Sequence, residues 1–374
     1  MSQSQFEPQG EHRITLADIA AEAGVSLATV SKVLNGRSDV SATTRARVER
    51  LVHGHGYLRR APGAGTGIAR MLELVFHELD SEWAIEIIRG VERVTRDAGV
   101  SVILTESGDR HSPGDAWVDG VLRRRPIGVV LVFSDLDPVE KHKLRSRGVN
   151  FVVVDPADEP EPDVASIGSA NWSGGLAAAQ HLINLGHRRI GMISGPTDML
   201  CSIARVDGYR SALERAGIQF DPALVRAGDF HVAGGRQAAI ELLDLPEPPT
   251  AIFAGSDLQA LGLYEAARPR GIRIPEDLSV VGYDDLRIAR WVGPPLTTIR
   301  QPLAEMAETA ARMLIGWADD PEAPVNQRFD LATSLIVRES TAPPGAASPG
   351  GRIDSHPPAP TPPQPAEEKP AEEK

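Results

Sequence analysis

A chain of 374 residues, 41% of them apolar, is long enough for two or three domains with real cores. The single cysteine, Cys201, excludes an intramolecular disulfide and a thiolate metal cluster, and the formal net charge of −12 argues against a protein basic throughout. The polar opening MSQSQFEPQGEHR lacks the apolar region of a secretion signal and no apolar run approaches the roughly 18 residues that span a bilayer, so a cytoplasmic protein with no membrane partner is expected.

The charge is uneven. Residues 12–60 hold eight Lys/Arg against four Asp/Glu, whereas residues 61–342 hold 28 against 40. A basic front on an acidic body suits a protein whose front alone meets a polyanion, although a local excess of four charges also arises on ordinary surface helices.

Three helical patterns fill that front. TLADIAAEAG starts at a capping Thr15 and carries Leu16, Ile19, Ala20 and Ala23 on one face until Gly24 breaks it. VSLATVSKVLNG follows, with Ser26 as N-cap and Val30, Val33 and Leu34 turned inward. SATTRARVERLVHGHGY then places Val48, Leu51 and Val52 on its inner side. Two short helices joined by a Gly-containing turn form a helix-turn-helix pattern. The small residues opening the second helix let it enter a major groove. There Ser26, Thr29 and Ser31 can donate to phosphates while Leu27, Ala28 and Lys32 face base edges. Thr15 and Asn35, at the outer ends of the two helices, complete the candidate DNA-contacting set. The plain structural alternative is a capped surface helix in a bundle.

Beyond a glycine-rich stretch (61–71), continuous apolar runs alternate with helical patterns: LELVFHE, VSVILTE, IGVVLVFS, NFVVVDP, RIGMISG, TAIFAGS, LSVVGYDD and LTTIRQP. Such runs suit strands buried on both faces, and their alternation with helices implies parallel, doubly wound sheets. Ala84, Ile87, Ile88, Val91 and Val94 make one stripe on the helix after the first strand. AAAQHLINLG and LQALGLYEAARPRG each end in a glycine past the helix. The strands are too many for one comfortable sheet, so two sheets with a ligand cleft at their carboxyl ends are expected across 72–341. The tail 342–374, rich in Pro, Ala and Glu, lacks apolar periodicity and reads as disordered.

TLADIAAEAGVSLATVSKVLNG followed by VSATTRARV and GY resembles the DNA-binding headpiece of the lactose/galactose-repressor (LacI/GalR) family. NWSGGLAAAQHLINLGHRRIGMISG, ARVDGYRSAL, TAIFAGSDLQALGLYEAARPRGIRIPEDLSVVGYDD and PPLTTIRQP resemble successive blocks of its body, so the likeness covers about 14–340. It implies an α/β protein: a helix-turn-helix headpiece (12–60), a hinge (61–71), and a periplasmic-binding-protein-like pair of doubly wound parallel-sheet subdomains (72–341). It further implies a homodimer on a roughly palindromic double-stranded DNA operator, regulated by a small sugar effector. In the family a hinge helix places a leucine in the minor groove. Here LRRAPGAGTGIARM is rich in glycine and offers Thr66 at that place, with Ile68 or Met71 as substitutes, which predicts weaker operator bending.

The resemblance also marks an effector site. Arg205, in IARVDGY, matches the arginine that clamps ligand, its guanidinium a fixed fork of donors; on position alone it would be a surface arginine. Asp284 and Asp155 close strands where a carboxylate can accept from hydroxyls, with helix capping and turn formation as their respective structural alternatives. Trp83 and Trp291 offer stacking faces or are core residues. Phe230 falls where the family has an aromatic over the ligand, and Ser256 replaces a common asparagine. Cys201, beside the expected pocket, reads as a small wall residue.

Two rival readings remain. GAGTG (63–67) mimics a dinucleotide loop but precedes a strand, and no nucleophile elbow or metal-spaced histidines appear, so no cofactor, metal or enzymatic role is expected. A sugar-binding protein without a transcriptional role would share the body and lack the headpiece.

Overall fold

The computed structural model describes residues 16–34, 40–54, 70–79, 81–108, 113–133, 136–320, 323 and 327–345. Thr15, Asn35 and the stretch 55–69, with Thr66 and Ile68, lie outside the described residues, as does the tail beyond 345. The chain divides into two compact units, Met1–Arg70 and Met71–Lys374.

The first unit holds α1 (Leu16–Glu22), α2 (Leu27–Leu34) and α3 (Ala42–Gly54). Ile19, Ala20, Ala23, Val30, Val33 and Val48 form its core, with Leu16, Val25, Val40 and Leu51 packed around them. The turn between α1 and α2 requires Gly24, whose φ of +62° is strained for a residue with a Cβ. Ser26 then caps α2, its Oγ accepting the Thr29 N–H at 3.1 Å, and Ser41 caps α3 through the Thr44 N–H at 3.2 Å. Arg47 donates to the Ala23 carbonyl at 3.3 Å, tying α3 to the end of α1.

The second unit contains two six-stranded sheets. One is built of β1 (Met71–Phe76), β2 (Ser101–Glu106), β3 (Gly128–Val132), β4 (Phe151–Val154), β5 (Ser166–Ser169) and β11 (Arg328–Leu331), in the order β11-β5-β4-β3-β1-β2 and parallel throughout. The other is built of β6 (Ile190–Ser194), β7 (Val225–Ala227), β8 (Ala251–Ala254), β9 (Ser279–Asp284), β10 (Thr297–Arg300) and β12 (Ser334–Ile336), in the order β12-β10-β9-β8-β6-β7. Only its β10–β12 pair is antiparallel.

Both faces of each sheet are covered, which is why the inner strands read as continuous apolar runs. In the first sheet Leu72, Leu74, Val130, Val132, Val152 and Val154 face α4 (Glu82–Asp97) and α11 (Leu303–Asp319), while Val75, Val129, Leu131 and Val153 face α5 (Asp115–Arg124) and α6 (Pro138–Ser146). In the second sheet, Met192, Phe253, Val281 and Tyr283 pack on α7 (Asn171–Asn184) and α8 (Leu200–Arg215). Its other face packs on α9 (Val232–Leu243) and α10 (Asp257–Ala267).

Two expectations need correction. VSVILTE forms β2 at a sheet edge, where Leu104 is 45% exposed, so this strand is not buried on both faces. The strands β5, β7, β11 and β12 have no counterpart among the apolar runs of the sequence, because each is only three or four residues long and none is a continuous apolar run. On α4, Ala84, Ile87 and Val91 are buried while Ile88 and Val94 are half-buried. The chain passes from first sheet to second after β5, returns through α11 and β11, and crosses again to β12.

Candidate functional site

The parallel strands of both sheets end at a cavity of about 910 Å³, its open mouth included. From the first lobe it is lined by Phe76, His77, Glu78, Ser81, Trp83, Ala84 and Phe133; from the second by Pro196, Met199, Arg205, Asp229, Phe230, His231, Ser256, Leu258 and Asp284. Of the seven sequence-nominated residues, Trp83, Arg205, Phe230, Ser256 and Asp284 meet here, Asp155 lies close behind, and Trp291 stands elsewhere.

Arg205 sits on α8 and is 3% exposed, not a surface residue. Its Nε donates to Asn171 Oδ1 at 2.8 Å and its Nη1 to the Gly255 carbonyl at 2.6 Å. Its guanidinium lies 3.7 Å from the Tyr283 ring centroid and 5.3 Å from that of Phe230. Two glycines let α8 approach α7: a Cβ on Gly175 or Gly208 would overlap the opposite backbone. That close approach sets Arg205 beside Asn171 at the start of α7.

Asp284 ends β9 at φ +113°, and its Oδ1 accepts from Gln301 at 3.1 Å. It also accepts the N–H of Asp257, the first residue of α10, while Asp285 takes Arg300 at 2.8 Å and also Arg338, and the loop N–H of Leu286 goes to Asp257 at 2.7 Å. Asp155, after β4, has φ +51° and a buried Oδ2 with no partner among the described residues. Burial pushes the Asp155 carboxyl up to about 6, opposed by the Arg205 charge and Asn171. Burial likewise pushes Asp284 up to about 7, with Arg205 opposing and Asp155 reinforcing the shift. Asp257 is also raised by burial and by Asp284. Backbone strain gathers at the same place, since Phe133 (φ +56°) and Phe230 (φ +70°) line the cavity too.

Phe230 approaches because position 195 is glycine, where any Cβ would enter its ring. Ser256 supports it: its Oγ donates to the Phe230 carbonyl at 2.9 Å and accepts the Gln259 N–H at 3.0 Å, capping α10. The Ser256 hydroxyl is thus committed to the fold. Trp83 is 8% exposed, packs into the first lobe's core, and stacks on Phe133 at 4.4 Å while still reaching the cavity wall. Trp291 is neither stacked in the cleft nor in a core; it is 80% exposed beside Glu82, Ile85 and Arg89. Cys201 is buried without lining the cavity, and burial pushes its thiol up to about 12, so it is unreactive.

Sequence reading missed the cleft's bridges. Glu78 Oε1 meets His231 Nε2 at 2.8 Å across the mouth, and Glu82 accepts the Ile288 N–H at 3.3 Å. Leu258, Leu286 and Ile288 of the second lobe pack against the first lobe's core. Glu78 does follow a recognisable strand end, but its partner lies more than 150 residues away and no local pattern names it.

In the helix-turn-helix unit, Ser26, Leu27, Ala28 and Lys32 are exposed and Thr29 is half-exposed, while Val30 and Val33 are buried. Leu27 is 52% exposed at the first position of α2, an apolar side chain left uncovered by the unit's own core. Ser26 Oγ and Thr29 Oγ1 lie 2.9 Å apart. The side chain of Ser31 falls outside the described residues.

Comparison with known proteins agrees with both units. A family model described as bacterial regulatory proteins, lacI family, matches residues 15–60, and one described as a periplasmic binding protein-like domain matches 179–341. The HTH-type transcriptional repressor CytR of Escherichia coli (strain K12) is 33% identical over 333 residues, covering 88% of this chain and 97% of that protein. A solved transcriptional regulator CelR–cellobiose complex superposes with a TM-score of 0.66 at 36% identity, over 88% of this chain and all of that one. The lac repressor dimer bound to operator and the anti-inducer ONPF gives a TM-score of 0.64 at 29% identity, over 88% of this chain and 99% of that one. The chain belongs to the LacI family of bacterial regulatory proteins, DNA-binding repressors of transcription.

Proposed function

We propose that this chain is a cytoplasmic homodimeric repressor of carbohydrate-utilisation genes whose hold on a roughly palindromic operator is set by a sugar bound between its lobes. It carries out no catalytic step in this reading. The observation that carries it is the pairing, in one chain, of a helix-turn-helix unit with a cleft whose polar anchor, Arg205, and aromatic wall, Trp83 and Phe133, belong to different lobes. A ligand gripped by both favours the closed lobes over the open ones, and only such differential contact can shift a conformational equilibrium. The cellobiose of the CelR complex and the operator of the lac repressor structure supply the two ligand classes by likeness.

Within this proposal residues 12–60 read DNA, 61–71 link, 72–341 bind effector and dimerise, and 342–374 form a tail. Ser26, Thr29 and Ser31, with Thr15 and Asn35, engage the phosphate backbone, while Leu27, Ala28 and Lys32 face bases. Arg205 and Asp284 hold ring hydroxyls, Asp155 sets the charge behind them, and Phe230 and Trp83 cover the ring faces; Ser256 acts through Phe230, and Trp291 has no place in the set.

The test selects bound sequences from random duplex DNA with the full-length protein, then titrates the selected operator with and without a sugar panel. The expected result is a symmetric site and a several-fold change in affinity with at least one sugar. An asymmetric site, or operator affinity that no sugar moves, would contradict the proposal.

A further inference from the structure

We infer that the end of the first lobe where the chain enters from the helix-turn-helix unit is a second DNA-contacting surface, on which Arg123, Arg125 and Arg147 engage backbone phosphates of a duplex. This surface adds affinity and reads no bases, and it does not depend on what the cleft binds.

Topology gathers the three arginines. In parallel strand–helix units the helix C-termini and the strand N-termini share one end of the sheet. Here α5 and α6 cover the same face and lead into the neighbouring strands β3 and β4. The two connections are pinned to each other and to the chain's point of entry. The Val129 N–H donates to the Asn150 carbonyl at 2.9 Å, and the Ile127 N–H to the carbonyl of Met71, the first residue of β1, at 2.7 Å. Only residues 55–70 separate Met71 from α3, a stretch that reaches at most about 55 Å when fully extended. A duplex held by the helix-turn-helix unit is thereby tethered at high local concentration to this end of the lobe.

Pairing then singles them out from the other cations of α5 and α6. Arg124 folds back over Gly120 onto the buried Glu73, its Nε donating at 3.0 Å. Lys141 pairs with Glu161 at 3.4 Å, and Arg145 with Asp163 at 2.5 Å. Asp97 and Asp319 end α4 and α11, which cover the opposite face of the sheet. Arg123, Arg125 and Arg147 are exposed, and their side chains have no hydrogen-bond or ion-pair partner among the described residues. On a body that is otherwise acidic, this end presents unneutralised guanidinium groups, the donors best matched to phosphate oxygens.

The backbone at Arg125 is an independent observation. This residue closes α5 in the left-handed region at φ +53°, its N–H donating to the Val121 carbonyl at 2.8 Å. After α6 the left-handed position is Gly148, at φ +70°. Glycine or asparagine is the usual occupant of such a turn, since a Cβ is strained there, so the turn itself does not call for arginine. The helix dipole favours cations in a last turn, and a role confined to the dipole would show as lost stability alone.

The test measures binding of the full-length protein to a mixed-sequence DNA duplex about four helical turns long, by fluorescence anisotropy between about 50 and 200 mM salt. Each phosphate contact adds about 0.9 to the slope of log affinity against log salt. The variant combining Arg123→Ala, Arg125→Asn and Arg147→Ala should flatten that slope by about 2 to 3 and bind at least tenfold more weakly at about 50 mM salt. Lysine at the same three positions keeps the charge and should restore most of the wild-type slope. Arg188→Ala with Arg268→Ala removes two exposed arginines of the second lobe and should leave the slope unchanged. If the combined variant fails to fold, Arg147→Glu alone, at an ordinary helix end, should flatten the slope by about 1. Wild-type slope and affinity in the combined variant, or in Arg147→Glu where that variant stands in for it, overturn the inference and leave the arginines to the helix dipole. An equal loss per charge in the second-lobe control overturns it too, because net charge alone then explains the effect, as does a lysine variant no better than the combined one.

Discussion

The helix-turn-helix unit and the interlobe cleft solve recognition in opposite ways. In the first unit a core of six aliphatic residues leaves Ser26, Leu27, Ala28 and Lys32 outside, together at and along α2. In the cleft the polar groups Asp155, Arg205 and Asp284 are themselves buried beside the half-buried Phe133 and Phe230, and five separate segments deliver them to one place. A surface reader can change one side chain without touching its fold. A buried reader cannot, because Arg205 holds Asn171 and Gly255 as well as lining the cavity.

The sharpest way to break this contrast is Arg205→Ala. It leaves buried carboxylates without their counter-charge, so effector affinity should fall by more than 100-fold, about 3 kcal/mol or more, in calorimetry. Arg205→Lys guards against simple misfolding; it keeps the charge but lacks the planar fork, and should still lose most of the affinity. Equal effector binding by both variants and wild type would show that the arginine is only structural.

Lys32→Ala is the matching change on the surface reader. Loss of a base contact should weaken specific operator binding by about 1–3 kcal/mol while effector affinity and melting temperature stay as in wild type. A uniform loss on all DNA sequences would instead assign Lys32 to the phosphates.

Aromatic substitutions sharpen the cleft's own boundary. Phe230→Ala should lower effector affinity roughly tenfold, since the ring lines the cavity and lies against the guanidinium, whereas Trp291→Ala should leave it within about twofold. Effector affinity lost in Trp291→Ala would bring that residue back into the site.

Acidity gives the smallest expected effect. Asp155 and Asp284 bind protons more tightly folded than unfolded, so their contribution favours the empty folded protein below the ordinary carboxylate range and fades as pH rises through about 6 to 7. A ligand hydroxyl prefers the ionised carboxylate, so effector binding should weaken roughly five- to tenfold from pH 8 to pH 6, with proton uptake by the empty site. Melting curves should show the empty protein gaining stability over the same acidification, and less so in Asp284→Asn. Tighter effector binding at pH 6 would reverse the assigned sign.

What was legible in the sequence follows the same divide. The front unit is local: a capping serine, Gly24 at a positive φ, and apolar residues at helical spacing determine it within about 40 residues. The inner strands β1, β3, β4, β6, β8 and β9 were equally plain, because burial on both faces demands a continuous apolar run. The polar SIGS of β5 and the three-residue β7 carry no such run; their pairing is decided by neighbours far along the chain. In the cleft, a family motif pointed to Arg205, but nothing local distinguishes Trp83, which reaches the wall, from Trp291, which faces outward. Ser256 reads as a ligand contact until its hydroxyl is found between the Phe230 carbonyl and the α10 cap. Phe133 and His231 were missed because their roles depend on Trp83 and Glu78 across the fold.

The central claim is that a ligand held between the lobes sets the grip of the helix-turn-helix unit on DNA. Its most direct test is the operator affinity of the full-length protein, measured with and without saturating effector, for wild type and Arg205→Ala. Coupling of ordinary allosteric size, about 1–3 kcal/mol, gives a 5- to 150-fold shift for wild type. The mutant should match the wild-type affinity without effector and show no shift with it. A mutant that responds to effector as strongly as wild type, or a wild type whose operator affinity is unmoved by an effector that calorimetry shows bound in the cleft, would contradict the claim.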